Sequence, residues 1–289
     1  MSHSEVESFT TCERRHYYAY GLKGGLRKRT ESSALVRGTI GHSLLAEYYQ
    51  ALKDGDEYDA RLKRVGERLQ YWVAQTDLDS YDRLNMLNEL WNHLMKPYFR
   101  HFREDDENME ILGVETTYEV PVADDFYMKV IVDLVVRQPN VGIAVWDHKF
   151  VYDFYNPEIV DINPQLPKYL AVIRSAGIPA AAAFYNELRY RLTKENRERI
   201  ELRFDRSRVA VTSNRIVKTM EEQLRAAKKI HYLRSLGLEE WERRVLRAAN
   251  SMICERCPFT EICALDLNGD DKTLAITYNY VARNEDRNG

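Results

Sequence analysis

Asp133, Asp147 and Lys149 are the residues whose types and spacing most clearly suit chemistry. They fall in the stretch 126–150, FYMKVIVDLVVRQPNVGIAVWDHKF. It reads as two adjacent strands joined by a short turn. Asp133 interrupts an apolar run, and the second strand ends in Asp147-His148-Lys149. Strand side chains alternate with period two, so Asp147 and Lys149 point one way and His148 the other. Two carboxylates and an ammonium make a poor core but a good site for a metal and a phosphate. Phosphodiester hydrolysis uses a divalent ion on hard oxygen ligands to activate water and neutralise developing charge. Asp133 and Asp147 are suitable ligands, with a backbone carbonyl near residue 148 as a third. Lys149 can orient or deprotonate the attacking water, or stabilise the transition state. An imidazole from His42 would tilt the preference toward manganese over magnesium. A D-x-K triplet alone is common. Its place after an apolar strand with a single Asp is what singles it out.

The cysteines form a second set. There are 4, and three of them, Cys254, Cys257 and Cys263, fall within ten residues, with Cys12 far upstream. A disulfide framework fits badly in a long chain without export signals. The C-x2-C-x5-C run plus one distant thiolate suits an iron–sulfur cluster better than zinc, which more often uses two compact pairs. Four unrelated buried cysteines are the alternative, but three of four within ten residues make chance unattractive. Ligation by all four would staple the first helix to the last.

Other elements must position these residues. The segment 37–49 reads as a helix with Ile40, Leu44, Leu45 and Tyr48 on its apolar side, and Gly38 and Gly41 permit another backbone to come close. His42 lies among them; taken alone, such a histidine is usually structural. Amphipathic helices follow at 59–75 and 82–103. A strand is predicted over 110–122, and Asp124-Asp125 marks a turn. Glu115 lies on that strand, where a carboxylate on a solvated edge is commoner than a metal ligand. A helix is predicted over 161–173, with Gln165 and Tyr169 on one face. Strands over 181–190 and 199–204 read as a hairpin around polar residues 194–196. Helices over 207–236 and 239–250 precede the cysteine run, and the segment 264–289 reads as a loosely packed polar tail. Ser4 leading Glu7 suggests a cap on the first helix.

Composition bounds the rest. A net charge of −3 argues against coating or packaging DNA but leaves room for an enzyme with a local basic groove. The 19 tyrosines often adjoin arginines, as in Arg189-Tyr190-Arg191. Such pairs suit base stacking and equally suit ordinary packing. No stretch reaches 18 apolar residues, and the N-terminus lacks the apolar region of a signal peptide, so a cytoplasmic protein is expected.

Together these residues resemble the PD-(D/E)XK nuclease superfamily, and within it the RecB-type nuclease domain with an iron–sulfur cluster, a group that includes CRISPR-associated exonucleases. The matching pieces are G-T-I-G-H around His42, I-V-D-L-V-V around Asp133, D-H-K at Asp147–Lys149, Q-L-P-K-Y at Gln165–Tyr169, and Cys12 followed by C-E-R-C-P-F-T-E-I-C. The ordered set, not any single motif, is specific. The resemblance implies an α/β, restriction-endonuclease-like core, a central mixed sheet flanked by helices, with a helical region and a C-terminal iron–sulfur knot. The expected division is 1–36 for the first cluster ligand, 37–110 for the helical region with His42, 111–206 for the core sheet, 207–263 for the C-terminal helices and cysteines, and 264–289 for the tail.

By the same resemblance His42, Asp133 and Asp147 bind Mn2+ or Mg2+, and Lys149 serves catalysis. Gln165 and Tyr169 form the auxiliary motif. Cys12, Cys254, Cys257 and Cys263 hold a structural 4Fe-4S cluster. The implied activity is metal-dependent cleavage of DNA, often exonucleolytic from single-stranded ends, and the implied partners are further copies of the chain or a helicase or recombination protein. Many members carry glutamate where this chain has Asp147; the shorter side chain supplies the same charge. No G-x-x-x-x-G-K-[ST] motif is present, so no ATP-driven helicase is fused to it. An iron–sulfur glycosylase would be nearly all helical, against the strand-rich centre here. A non-catalytic iron–sulfur or zinc DNA-binding module would have no need to hold Asp133, Asp147 and Lys149 together.

Overall fold

The computed structural model describes residues 1–30, 32–75, 80–123 and 126–283. The turn expected at Asp124-Asp125 lies outside them. Seven strands run along the described chain: β1 (Leu26–Lys28), β2 (Glu110–Ala123), β3 (Phe126–Gln138), β4 (Gly142–Val151), β5 (Ala182–Arg189), β6 (Phe204–Val209) and β7 (Tyr280–Ala282). The chain forms two compact units, one of residues 1–31, 121–129 and 220–289, the other of residues 32–120 and 130–219.

The second unit is built on a five-stranded sheet in the order β2-β3-β4-β5-β6. β3 and β4 pair antiparallel, β4 and β5 parallel, and β5 and β6 antiparallel. This is the mixed α/β sheet expected. β4 is the central strand and is buried almost continuously from Ile143 to His148. A strand covered on both faces has no need of alternation, which is why its sequence reads as one apolar run. The helix Gln165–Ser175 makes the crossover between β4 and β5 and lies on both. The helix Ser33–Lys53 starts at Ser32, whose side chain accepts the Leu35 N–H, and lies against β4 and the helix Tyr58–Gln75.

Gly41 lets that first helix approach β4. A Cβ added there would stand 2.2 Å from Phe150 Cζ, whereas at Gly38 nothing lies within 4 Å. Gly41→Ala is therefore expected to lower stability by about 1–3 kcal/mol through overpacking. It should also displace neighbouring His42. Gly38→Ala, where there is space, should melt near the wild-type temperature. Equal melting temperatures for the two variants would remove the close-approach argument.

Several boundaries differ from expectation. The helix predicted over 161–173 is two helices, Pro157–Ile162 and Gln165–Ser175. Pro164 excludes helical backbone at Asn163, which is extended, with φ −69° and ψ 126°. The strand predicted over 199–204 is a short 3-10 turn at Ile200–Arg203, and pairing begins only at Phe204. The helix predicted from 207 accordingly starts later and runs Ser213–Ser235.

In the first unit, Ser2 rather than Ser4 caps the opening helix, accepting the Glu5 N–H at 3.2 Å. Extended backbone at Cys12 then divides His3–Thr11 from Glu13–Tyr20. Val6, Tyr17, Tyr18, Ile230, Trp241, Phe259 and Tyr280 are among the residues of this unit's core. The polar tail is not loose through residue 283. It forms the helices Thr260–Asn268 and Thr273–Asn279 and then β7, which pairs antiparallel with β1. Tyr280, 2% exposed, anchors it.

Candidate metal centre

The register Leu134↔Trp146 sets Leu134 and Trp146 on one face of the β3–β4 ribbon and Asp133 and Asp147 on the other. Both aspartates are buried, at 8% and 1% exposure, where a carboxylate needs partners. Asp133 Oδ2 accepts the His148 N–H at 2.7 Å and lies 3.4 Å from His42 Nδ1. Asp147 Oδ2 pairs with Lys149 Nζ at 2.5 Å, and its Oδ1 accepts from Gln165 Nε2 at 2.6 Å. Gln165 Nε2 also donates to Tyr169 Oη at 2.9 Å. One turn of helix thus brings Gln165 to the carboxylate and Tyr169 to Gln165, on the one face that their spacing of four predicts.

Glu115 completes the group. Its carboxylate, His42 and Asp133 each offer a ligand atom, and these atoms lie within 4.8 Å of one another. β2 reaches this arrangement by breaking its own alternation. Buried positions are 111 and 113 at first, then 116, 118 and 120 are the more covered ones, and the phase changes at Glu115. Glu115 has φ +45°, a left-handed conformation that a non-glycine residue rarely adopts inside a strand. Backbone of this kind is held by its surroundings and often re-aims a side chain at a site.

The charges are frustrated without a cation. Burial, then Asp147 and Glu115, push the Asp133 carboxyl well above the usual range. Burial and Asp147 raise Glu115 as well. Burial pulls His42 down despite nearby Asp147, which leaves a neutral imidazole able to ligate. Burial also works against the Lys149 ammonium, but Asp147 beside it holds its pKa above the ordinary lysine value. Two hard carboxylates and an imidazole, short of positive charge, fit a divalent ion.

Tyr185 and Glu187 also belong to this face, since Asp147 pairs in register with Tyr185 and Lys149 with Glu187. Lys149 Nζ stands 5.8 Å from the centre of the Tyr185 ring. Glu187 Oε1 accepts the Tyr155 N–H at 2.9 Å. Neither residue carries a local signal in AAAFYNELRY; only knowledge of the strand register brings them to Lys149.

The profile of the PD-(D/E)XK nuclease superfamily matches residues 1–264. The chain belongs to that superfamily. Among solved structures 11 chains match this PD-(D/E)XK protein. One is the crystal structure of SSO0001, at 15% identity over 77% of this chain and 84% of that chain, with a TM-score of 0.34. No curated protein matches it.

One expectation about this PD-(D/E)XK chain is corrected. The cysteine-ligated 4Fe-4S cluster, the C-terminal iron–sulfur knot and the assignment to the iron–sulfur branch are not upheld. Among the described residues, the side chains that gather ligand atoms closely enough to share an ion are His42, Glu115 and Asp133, and no cysteine is among them. Cys12, Cys254, Cys257 and Cys263 are free cysteines bordering a cavity of about 190 Å3 in the first unit. Burial pushes the Cys257 and Cys263 thiols up. No described helix is long and apolar enough to cross a membrane.

Proposed function

We propose that this protein is a divalent-metal-dependent nuclease that hydrolyses phosphodiester bonds in DNA. The observation that carries the reading is the His42–Glu115–Asp133 group lying beside the Asp147–Lys149 ion pair in one unit. His42, Glu115 and Asp133 would hold the ion, with Asp147 joining them from its pairing with Lys149. The bound ion supplies Lewis-acid stabilisation of the phosphate and a water of lowered pKa. The nitrogen donor favours manganese, while the carboxylates also accept magnesium. Lys149, released from Asp147, orients the attacking water or takes up charge developing on the phosphate. Gln165 keeps Asp147 in place, and Tyr169 orients Gln165.

An unpaired strand is the substrate that the surroundings favour. Tyr152 is 56% exposed, three residues beyond Lys149. The Arg191 guanidinium lies 5.1 Å from the centre of its ring, and Tyr190 meets it edge-on at 5.9 Å. Exposed aromatic faces interleaved with arginine suit bases that are free to stack and a backbone that carries charge. Exonucleolytic action by a cytoplasmic enzyme completes the proposal.

The test uses end-labelled linear and covalently closed circular single-stranded DNA with Mn2+. Stepwise shortening of linear strands, stopped by chelator and restored by Mn2+, is expected. Cutting of circles at a similar rate would replace exonuclease by endonuclease. Undiminished cleavage in excess chelator would rule out the metal mechanism.

A further inference from the structure

Behind the metal centre, on the opposite face of the same sheet, lies a row of polar side chains that the proposed chemistry does not use. His148 on β4 is in register with Asn186 on β5, and Asn186 with Arg206 on β6. His148 and Asn186 are almost completely buried, and the Arg206 side chain is only 9% exposed. The row is continuously bonded. Asn186 Nδ2 donates to His148 Nδ1 at 2.8 Å and to Tyr98 Oη at 2.7 Å. Arg206 Nη2 donates to Tyr98 Oη at 2.6 Å and to Tyr49 Oη at 3.0 Å, and its Nη1 pairs with buried Asp106 at 2.9 Å. The Tyr49 ring stacks on the His148 ring at 5.6 Å and 13°.

Apolar side chains of similar volume would fill this space at less cost, because a buried polar network must repay the desolvation of every member. What the row does hold is His148, the middle residue between Asp147 and Lys149. The N–H of His148 is the one that Asp133 accepts at 2.7 Å. With the imidazole pinned from behind by Asn186 and clamped by Tyr49, the His148 peptide has little freedom to rotate. Its N–H then keeps aiming at Asp133, and Asp133 keeps facing His42 and Glu115. Partners behind metal ligands commonly set ligand orientation in this way.

We propose that Asn186 and Tyr98, anchored by the Arg206–Asp106 pair, are positioning residues that act through the His148 peptide to hold Asp133 in its metal-binding orientation. The inference rests on the metal-centre reading above. Neither residue touches metal or DNA.

The experiment measures Mn2+ binding directly, by the loss of the free-ion electron paramagnetic resonance signal, in wild type, Asn186→Leu and Tyr98→Phe. Circular dichroism and DNA titration accompany it. Tyr98→Phe keeps the ring and removes only the hydroxyl that Asn186 and Arg206 share, so it serves if the leucine variant does not fold. The expected result is Mn2+ binding weakened roughly 10–100-fold, the usual effect of losing such a partner. The KM for DNA should be unchanged and the rate should recover at high Mn2+, while circular dichroism in chelator, before any ion can refold the chain, excludes an unfolded fraction. Mn2+ affinity within twofold of wild type in the folded variants would overturn this inference alone. A wild type that binds no Mn2+ would overturn the metal reading and this inference with it.

Discussion

Asp133→Asn should abolish most metal-dependent cleavage while making the metal-free protein more stable. The loss follows from removing one carboxylate of the ligand group. A ligand worth about 4 kcal/mol in the transition state corresponds to a fall on the order of a thousandfold. The gain follows from burial. Asp133 is 8% exposed, and burial with Asp147 and Glu115 raises its pKa well above 3.8. A carboxyl whose folded pKa is raised contributes stability below its unfolded value and loses it as pH climbs through the folded one. The metal-free wild type should therefore weaken with pH from near 3.8 upward, until Asp133 is ionised. Asparagine keeps an acceptor for the His148 N–H and has no charge to bury. Thermal melts in chelator across that range should show the two proteins diverging with rising pH, by about 2 kcal/mol at neutral pH. Parallel melting curves at every pH would show that Asp133 is not frustrated. Saturating Mn2+ should narrow the difference by stabilising only the wild type.

Lys149→Met should separate binding of the ion from use of it. The ammonium holds Asp147 Oδ2 at 2.5 Å, so it competes with any cation for that carboxylate. Its removal should leave Mn2+ affinity unchanged or tighter. The chemical rate should nonetheless fall by roughly 10²–10³, the range for loss of one group that stabilises developing charge. The metal-free variant also keeps Asp147 buried at 1% exposure with only Gln165 to neutral-bond it, which costs about 3 kcal/mol of stability until an ion is added. Single-turnover cleavage and Mn2+ titration check both halves. A rate near wild type would remove Lys149 from the chemistry, and much weaker Mn2+ binding would mean that the ammonium supports the ligands instead of competing for them.

The parts of the site that can be read from the chain are those with a local signature. Asp133 stands alone in an apolar run, and Asp147 and Lys149 close the neighbouring strand, so alternation puts Asp147 and Lys149 on one face and the pairing of the two strands adds Asp133. Gln165 and Tyr169 are one helical turn apart and bond to each other. Glu115 escapes such reading because the φ of +45° shifts the strand's phase at that residue. Counted by strict alternation from Ile111 and Gly113, Glu115 belongs with the covered side, yet its composition marks a solvated edge, and neither pattern announces a ligand. Cysteine spacing misleads for a different reason. Two residues between Cys254 and Cys257 report nearness of thiols, not which donors an ion takes. The row His148–Asn186–Arg206 is invisible because register between β4, β5 and β6 depends on a crossover helix and a connection whose geometry no short window contains. The mixed sheet follows from strand–helix–strand order after Asp147, whereas Tyr280 finds its place only through a strand at the other end of the chain.

The pairing of β1 with β7 has a consequence for biosynthesis. Arg283 Nη1 donates to the carbonyl of Ala19, 264 positions earlier. The unit of residues 1–31, 121–129 and 220–289 draws on both ends of the chain, whereas the sheet-bearing unit is complete in sequence by residue 219. At about 5–20 residues per second on the ribosome, the opening helices wait on the order of tens of seconds for their partners. During that interval Val6, Tyr18 and Leu26 have no finished core to enter. The sheet-bearing unit can condense first. The nascent N-terminal segment is then the part most exposed to chaperones, proteases and its own copies on a polysome.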